Sequence, residues 1–407
     1  MRHLKLLLPA AIAGLSLIFV TGASAQKIYD PGASDTEIKI GNIVPYSGPL
    51  SAYATIGRSH AAYFKKINDE GGINGRKLVL VTYDDAYSPS KAMEQTRKLV
   101  ESDEVLAVFS SVGTPTNLAT QKYLNSKKVP QLFVATGASR WGDPANFPWT
   151  MGWQPTYKSE GRILGKYIVA NHPGGKIAVL WQNDDSGRDI LTGLREGLGS
   201  KANQIIAERS YEATDPTVDS QVAGLRDSGA NIFVSLTAPK AAAQAIRKSA
   251  EIGWKPVYLQ SNVSTSVSSV LQPGGLDNSK DIISTAFLKD PSDPTWKEDP
   301  ATKDWFAFMD KYFPDGDKTN SVNVLAYASA QTLVHVLKQC GDDLTRANVM
   351  RQAARLKDFR SEMMLPGIVA NTSESDFYPL EQLQMMKFDG KSWVLFGDII
   401  DASSPRH

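Results

Sequence analysis

Cysteine is almost missing from this chain: 407 residues contain one, Cys340. A single cysteine excludes an intrachain disulfide, so the fold must rest on core packing. Cys340 also lies too far from the N-terminus to carry a lipid anchor there. It follows Leu337 in helical rhythm, with no second Cys and no His nearby in sequence, and is expected to be a buried, inert thiol. Histidine is scarce too. His60, His172, His335 and His407 fall in separate segments without an i, i+4 pair, so no metal site is expected. The formal charge is only +1, with no basic stripe, which argues against nucleic acid or an anionic membrane surface as a partner. There is no P-loop, and no cofactor is expected.

Long apolar runs are confined to the N-terminus. Arg2 and Lys5 precede the run Leu6 to Val20, and Ala23-Ser24-Ala25 follows as a small-residue cleavage site. This pattern predicts a secretory signal over residues 1–25, cleaved near Ala25, rather than a membrane span, and so no direct membrane insertion. Pro9, Gly14 and Gly22 make a core helix the poorer alternative. Without Arg2 and Lys5 the formal charge becomes -1.

About 380 mature residues exceed what one hydrophobic core usually serves, which favours two domains. From residue 38 the sequence alternates β-branched apolar runs with amphipathic stretches, the pattern of βαβ units around parallel sheets. Strands are expected at Ile38–Val44, Leu78–Tyr83, Val105–Phe109 and Gln131–Val134, then at Ile177–Trp181, Asn231–Leu236 and Val257–Leu259. Helices are expected at Ala61–Asp69, from Ser88 as N-cap and Pro89 as N1, at Ile190–Leu198, Lys240–Ile252 and Asn323–Lys338. Asp290 to Pro300 reads as a loop. Few strands remain beyond it, so the chain is expected to return to the first sheet after about residue 285. Two successive doubly wound α/β sheets are the economical architecture.

Catalytic constellations are not convincing. Ser88-Pro89-Ser90-Lys91 matches S-x-x-K but lacks its companion motifs, and Gly193, Gly197 and Gly199 fall inside or after a helix, where they read as helix punctuation. Asp84-Asp85 and Asp184-Asp185 sit at strand ends, where turn and cap roles are commonest. Binding geometry is easier to find. The loop Ser110 to Asn117 joins a strand to a helix and offers hydroxyls, Gly113 and N–H groups at the positive end of a helix dipole, the outline of a small-anion site. Ala135-Thr136-Gly137-Ala138-Ser139 repeats the arrangement, with plain helix capping as the alternative.

Ile38 to Ser51, Ile67 to Arg76 and Tyr83 to Asp85, continued by Val129 to Ser139, Asn183 to Gly187 and Ala326-Tyr327, resemble type-I periplasmic binding proteins. These are receptors of branched-chain amino acid type ABC importers. The resemblance covers nearly all of the mature chain. It implies two Rossmann-like lobes with parallel sheets joined by a three-crossover hinge, residues 26–155 plus about 286–365 forming one lobe and 156–285 plus about 366–407 the other. It further implies a periplasmic, monomeric receptor that is not an enzyme, delivering a small-molecule carboxylate ligand to a membrane permease of an ABC importer.

The resemblance places the ligand carboxylate against Gly113, Thr114, Gly137, Ala138 and Ser139, with Tyr53 lining the pocket. The tyrosine and acid that grip an amino acid's ammonium in the family fall at Ser186 and Asn262. A buried ammonium without a counter-charge costs several kcal/mol. A carboxylate lacking the amino group is therefore expected, and Tyr46, Trp141, Trp149 and Trp153 suggest aromatic walls for it. Positions that form a disulfide in some relatives are here Tyr87 and Gly113. The alternatives are a branched-chain or other hydrophobic amino acid receptor, a receptor feeding a membrane sensor, and an exported hydrolase using Ser88 or Ser186.

Overall fold

A computed structural model describes residues 27–402; the expected signal segment and its cleavage site lie outside the described residues. The first sheet contains β2 (Glu37–Val44), β3 (Lys77–Asp84), β4 (Ala107–Phe109), β5 (Gln131–Val134) and β6 (Thr150–Gly152), in the order β3-β2-β4-β5-β6 and parallel throughout. A short strand before it, β1 (Ile28–Tyr29), pairs elsewhere. Ile38, Ile40, Ile43 and Val44 of β2 are all buried, as a parallel strand covered on both faces requires.

The second sheet contains β7 (Ile177–Gln182), β8 (Ile205–Tyr211), β9 (Ile232–Leu236), β10 (Val257–Gln260) and β11 (Ile283–Ala286), parallel to one another in the order β11-β10-β9-β7-β8. In each sheet the strand order reverses once, between β2 and β4 and between β7 and β9. Loops diverge there and leave a crevice.

The return of the chain after residue 286 takes a different form from the one expected. Helices Pro300–Tyr312 and Ser321–Cys340 pack against helix Thr55–Asp69, but among the described residues no later strand joins the first sheet, and β12 (Asp343–Leu344) pairs with β1. The last segment forms a hairpin, β13 (Gln382–Phe388) and β14 (Trp393–Asp401), which extends the second sheet antiparallel beyond β11. The edge strands β8 and β14 escaped the sequence because their exposed positions interrupt the apolar run, as in Ile205-Ile206-Ala207-Glu208-Arg209-Ser210-Tyr211, and β13, between β11 and β14, alternates buried and less buried residues over part of its length.

Gly193 and Gly197 are packing residues rather than punctuation. Helices Tyr157–Asn171 and Asp185–Leu198 meet backbone to backbone. A Cβ at Gly161 would sit 2.2 Å from the Ile190 carbonyl oxygen, and one at Gly193 would sit 2.1 Å from that of Lys158. Gly165 and Gly197 repeat this contact one turn on. Gly199, at φ +54, ends the second helix. Ser88 precedes helix Pro89–Glu101 as expected, but its hydroxyl bonds to Ser90 Oγ at 3.0 Å instead of capping. Cys340 is buried, and burial pushes its thiol up to about 12.

Candidate functional site

The C-terminal ends of the two sheets enclose a cavity of roughly 1200 Å³, its mouth included. Five residues singled out in the sequence line it: Tyr53, Gly113, Thr114, Ser186 and Asn262. They come from both sheets. Tyr53, in the turn before helix Thr55–Asp69, donates its hydroxyl to the Val263 carbonyl at 3.1 Å and so spans the cleft. Its phenol is raised well above the ordinary tyrosine range by burial.

Gly113 precedes helix Thr114–Ser126 at φ +98, a conformation that favours glycine, and no side chain caps that helix. The first N–H groups of the helix have no intrahelical acceptor and point towards the cleft end of the element. Thr114 Oγ1 is hydrogen-bonded to Thr136 Oγ1. Opposite, Asp184 caps helix Asp185–Leu198 by accepting from the Ser186 and Gly187 N–H groups at 2.9 and 3.2 Å. The Ser186 hydroxyl bonds to the same carboxylate.

Gly137, Ala138 and Ser139 do not line this cavity. Ala135, the first residue beyond β5 and bridged in parallel to Val112, takes the position facing the crevice. The chain then turns away: the Gly137 carbonyl accepts from Tyr157 N–H at 2.6 Å, and Ala138 packs in a small core cluster with Val134 and Trp141. Ser139 donates its N–H and hydroxyl to the two Asp189 carboxylate oxygens at 2.8 and 2.7 Å. Beside it Arg140 pairs with Asp185 at 3.0 Å. These contacts join the loop after β5 to the helix after β7.

Apart from Tyr53, the aromatic walls are other residues than expected. Trp141 and Trp153 are core, with Trp153 Nε1 donating to Thr332 Oγ1 at 2.9 Å, and Tyr46 bonds to Thr82 at 2.8 Å. Tyr46 and Trp149 are likewise not part of the lining, which contains Tyr53, Tyr87, Tyr157 and Phe287 instead. Tyr87 was legible only as a residue beside Gly113 in space. Ala86 and Tyr87 both adopt positive φ, +49 and +60, and Asp84 and Asp85 hold this turn by accepting from their N–H groups at 2.9 and 2.8 Å.

From Tyr87 a polar chain crosses the cleft. Gln182 Nε2 donates to the Tyr87 hydroxyl at 3.3 Å, Gln182 Oε1 accepts from Tyr211 at 3.0 Å, and the Tyr211 oxygen accepts from Ala238 N–H at 2.8 Å. Gln182 is the last residue of β7, but nothing in the sequence marks it as functional.

Acidic groups are nearer to the cavity than Ser186 and Asn262 suggested. Asp290 belongs to the lining, and burial pushes its carboxyl up to about 6. Glu160 lies fully buried behind Asn262, whose N–H donates to Glu160 Oε1 at 2.6 Å. Lys289 also belongs to the lining and pairs with Asp299 at 2.7 Å.

The family model described as periplasmic binding protein matches residues 37–391. Leu/Ile/Val-binding protein homolog 1 of Brucella abortus (strain 2308) is 25% identical over 373 residues, 86% of this chain and 94% of the relative. Among solved structures, a branched-chain amino acid ABC transporter protein from Thermus thermophilus with bound valine superposes with TM-score 0.81 at 16% identity, covering 90% of this chain and 97% of that one. A solute-binding protein of an ABC transporter from Rhodopseudomonas palustris BisB5, in complex with 3,4-dihydroxy benzoic acid, gives TM-score 0.77 at 18% identity, with 91% and 99% covered. The fold is that of the type-I periplasmic binding proteins. The chain belongs to the periplasmic binding protein family.

Proposed function

We propose that this protein captures a small carboxylate with an apolar or aromatic body in the periplasm and presents it, enclosed, to an ABC permease. The supporting observation is the cavity itself: an uncapped helix N-terminus at Gly113-Thr114 faces it, and its walls include Tyr53, Tyr87, Tyr157 and Phe287. A helix N-terminus favours an anion, and flat rings favour an apolar body. The family supplies the coarser function, and the structures with valine and with 3,4-dihydroxy benzoic acid bound illustrate two ligand chemistries that the fold accepts in other proteins.

The lobes that close on the ligand are, in this proposal, residues 26–155 with about 286–365 and residues 156–285 with about 366–407, acting in a monomer exported by cleavage near Ala25. Ligand capture involves no covalent chemistry. The serines considered as nucleophiles have other engagements, Ser88 with Ser90 and Ser186 with Asp184.

A second proposal has a specific observation in its favour. Asp290 lines the cavity, and an ionised carboxylate there is a counter-charge for the ammonium of a hydrophobic amino acid. A thermal-shift screen separates the two. A ligand at 100-fold its Kd stabilises by about 2.7 kcal/mol, so a rise with benzoates or aliphatic acids and none with leucine, isoleucine or valine supports the carboxylate. The reverse pattern overturns it.

A further inference from the structure

Three residues of the second-lobe wall of the cavity, Ser261, Asn262 and Thr285, converge on one side chain behind them. Glu160, on helix Tyr157–Asn171, accepts from Asn262 N–H at 2.6 Å, from Ser261 Oγ at 3.0 Å and from Thr285 Oγ1 at 3.3 Å. It is fully buried, and among the described residues no cation forms an ion pair with it. Three donors suit a carboxylate, yet a glutamine could hold the same wall with its amide oxygen and NH₂ group. A buried, unpaired carboxylate is costly unless it serves a purpose that an amide cannot.

We propose that Glu160 is a positioning residue that holds the second-lobe wall of the cavity and exchanges a proton with solvent as the ligand binds. This rests on the carboxylate reading of the ligand. A negative ligand group enclosed against Ser261 and Asn262 disfavours a second negative charge behind them, so Glu160 takes up a proton from the buffer. A ligand ammonium acts in the opposite sense and releases one.

The surroundings permit this exchange near neutrality. Burial pushes the Glu160 carboxyl up to about 7. On its own helix it faces Tyr157, whose phenol burial holds up at about 12 and therefore neutral. The loop and strand packed against it present only uncharged donors from Ser261, Asn262 and Thr285, while the neighbouring helix meets this one through glycine backbone at Gly161. Burial also raises two aspartates to about 6, Asp85 in the turn that carries Tyr87 and Asp290 on the cavity lining; Asp290, which meets the ligand space directly, must be separated from Glu160.

The test compares the wild-type protein with E160Q and D290N. Without ligand, the wild-type melting temperature should fall relative to that of E160Q as pH rises from 5.5 to 8.5; parallel curves overturn the proposal whatever the ligand. With 4-hydroxybenzoate as probe, affinity should be about threefold to tenfold tighter at pH 6 than at pH 8. Calorimetry at pH 7 in phosphate and in Tris should register proton uptake that E160Q abolishes and D290N retains. Uptake that persists in E160Q, or binding with no proton exchange, overturns the proposal. If leucine binds instead and releases a proton lost in E160Q, the coupling stands and the carboxylate assignment falls. If neither probe binds, the melting curves decide.

Discussion

The ring of Tyr87 lies against the backbone of Gly113, so close that a Cβ at position 113 would come within 2.4 Å of Tyr87 Cε2. The contact is an aromatic ring on a bare peptide. It ties the turn after β3 to the start of helix Thr114–Ser126, both on the cavity lining.

Gly113→Ala therefore meets two obstacles, a side chain at φ +98 and the Tyr87 ring. We expect about 2–5 kcal/mol of lost stability, from roughly 1–2 for the backbone and 1–3 for overpacking. Denaturant unfolding measures it. Y87A should relieve the clash but not the backbone strain, so the double variant should be more stable than the sum of the singles predicts.

Gly161→Ala and Gly193→Ala each place a methyl group against the facing helix backbone, with no side chain available to give way. Each should cost about 1–3 kcal/mol or more and lower the melting temperature accordingly. A Gly174→Ala control has open space at its Cβ and should change little.

Ser139 and Asp189 join the two lobes outside the cavity. Ser139→Ala removes one of their two hydrogen bonds, and a net loss of about 1 kcal/mol corresponds to roughly fivefold weaker ligand binding. The change should appear in the dissociation rate. An affinity equal to wild type would show that closure does not depend on this contact.

Two carboxyl groups should give stability opposite dependences on pH. Glu160 is raised from 4.5 to about 7, so the folded state holds its proton more tightly and stability falls as pH rises through that interval, by on the order of 3 kcal/mol. Asp299 is lowered: burial opposes this, but hydrogen bonds from Lys289 and Thr302 prevail. Its contribution is present above the unfolded aspartate value of 3.8 and is lost as pH falls through the depressed folded value. In D299N the acid limb of the melting profile should flatten, while E160Q flattens the neutral limb.

The parallel core strands were legible because burial on both faces demands unbroken apolar runs, as in β4 and in Ile177 to Trp181 of β7. Gly113 and Thr114 were found through their loop, and Tyr53, Ser186 and Asn262 through the family pattern. Tyr87 and Gln182 were not, since their roles arise only when turn and strand end from different lobes meet across the cleft. Ser139 illustrates the converse. Its loop has the composition of an anion site, but the turn at Thr136 aims it at Asp189 rather than at the cavity. Glu160 stayed hidden because one acidic residue on a helix looks solvent-facing until Ser261, Asn262 and Thr285, distant in sequence, fold over it.

Cys340 is buried within helix Ser321–Cys340, and its thiol is held at about 12. A cysteine introduced on the surface would thus be the one readily alkylated by maleimides at neutral pH, without first removing a native thiol. A dye at Arg140 or Asp185, which pair outside the cavity between the loop after β5 and the helix after β7, would report the proposed closure optically and turn the receptor into a reagentless sensor for its own ligand.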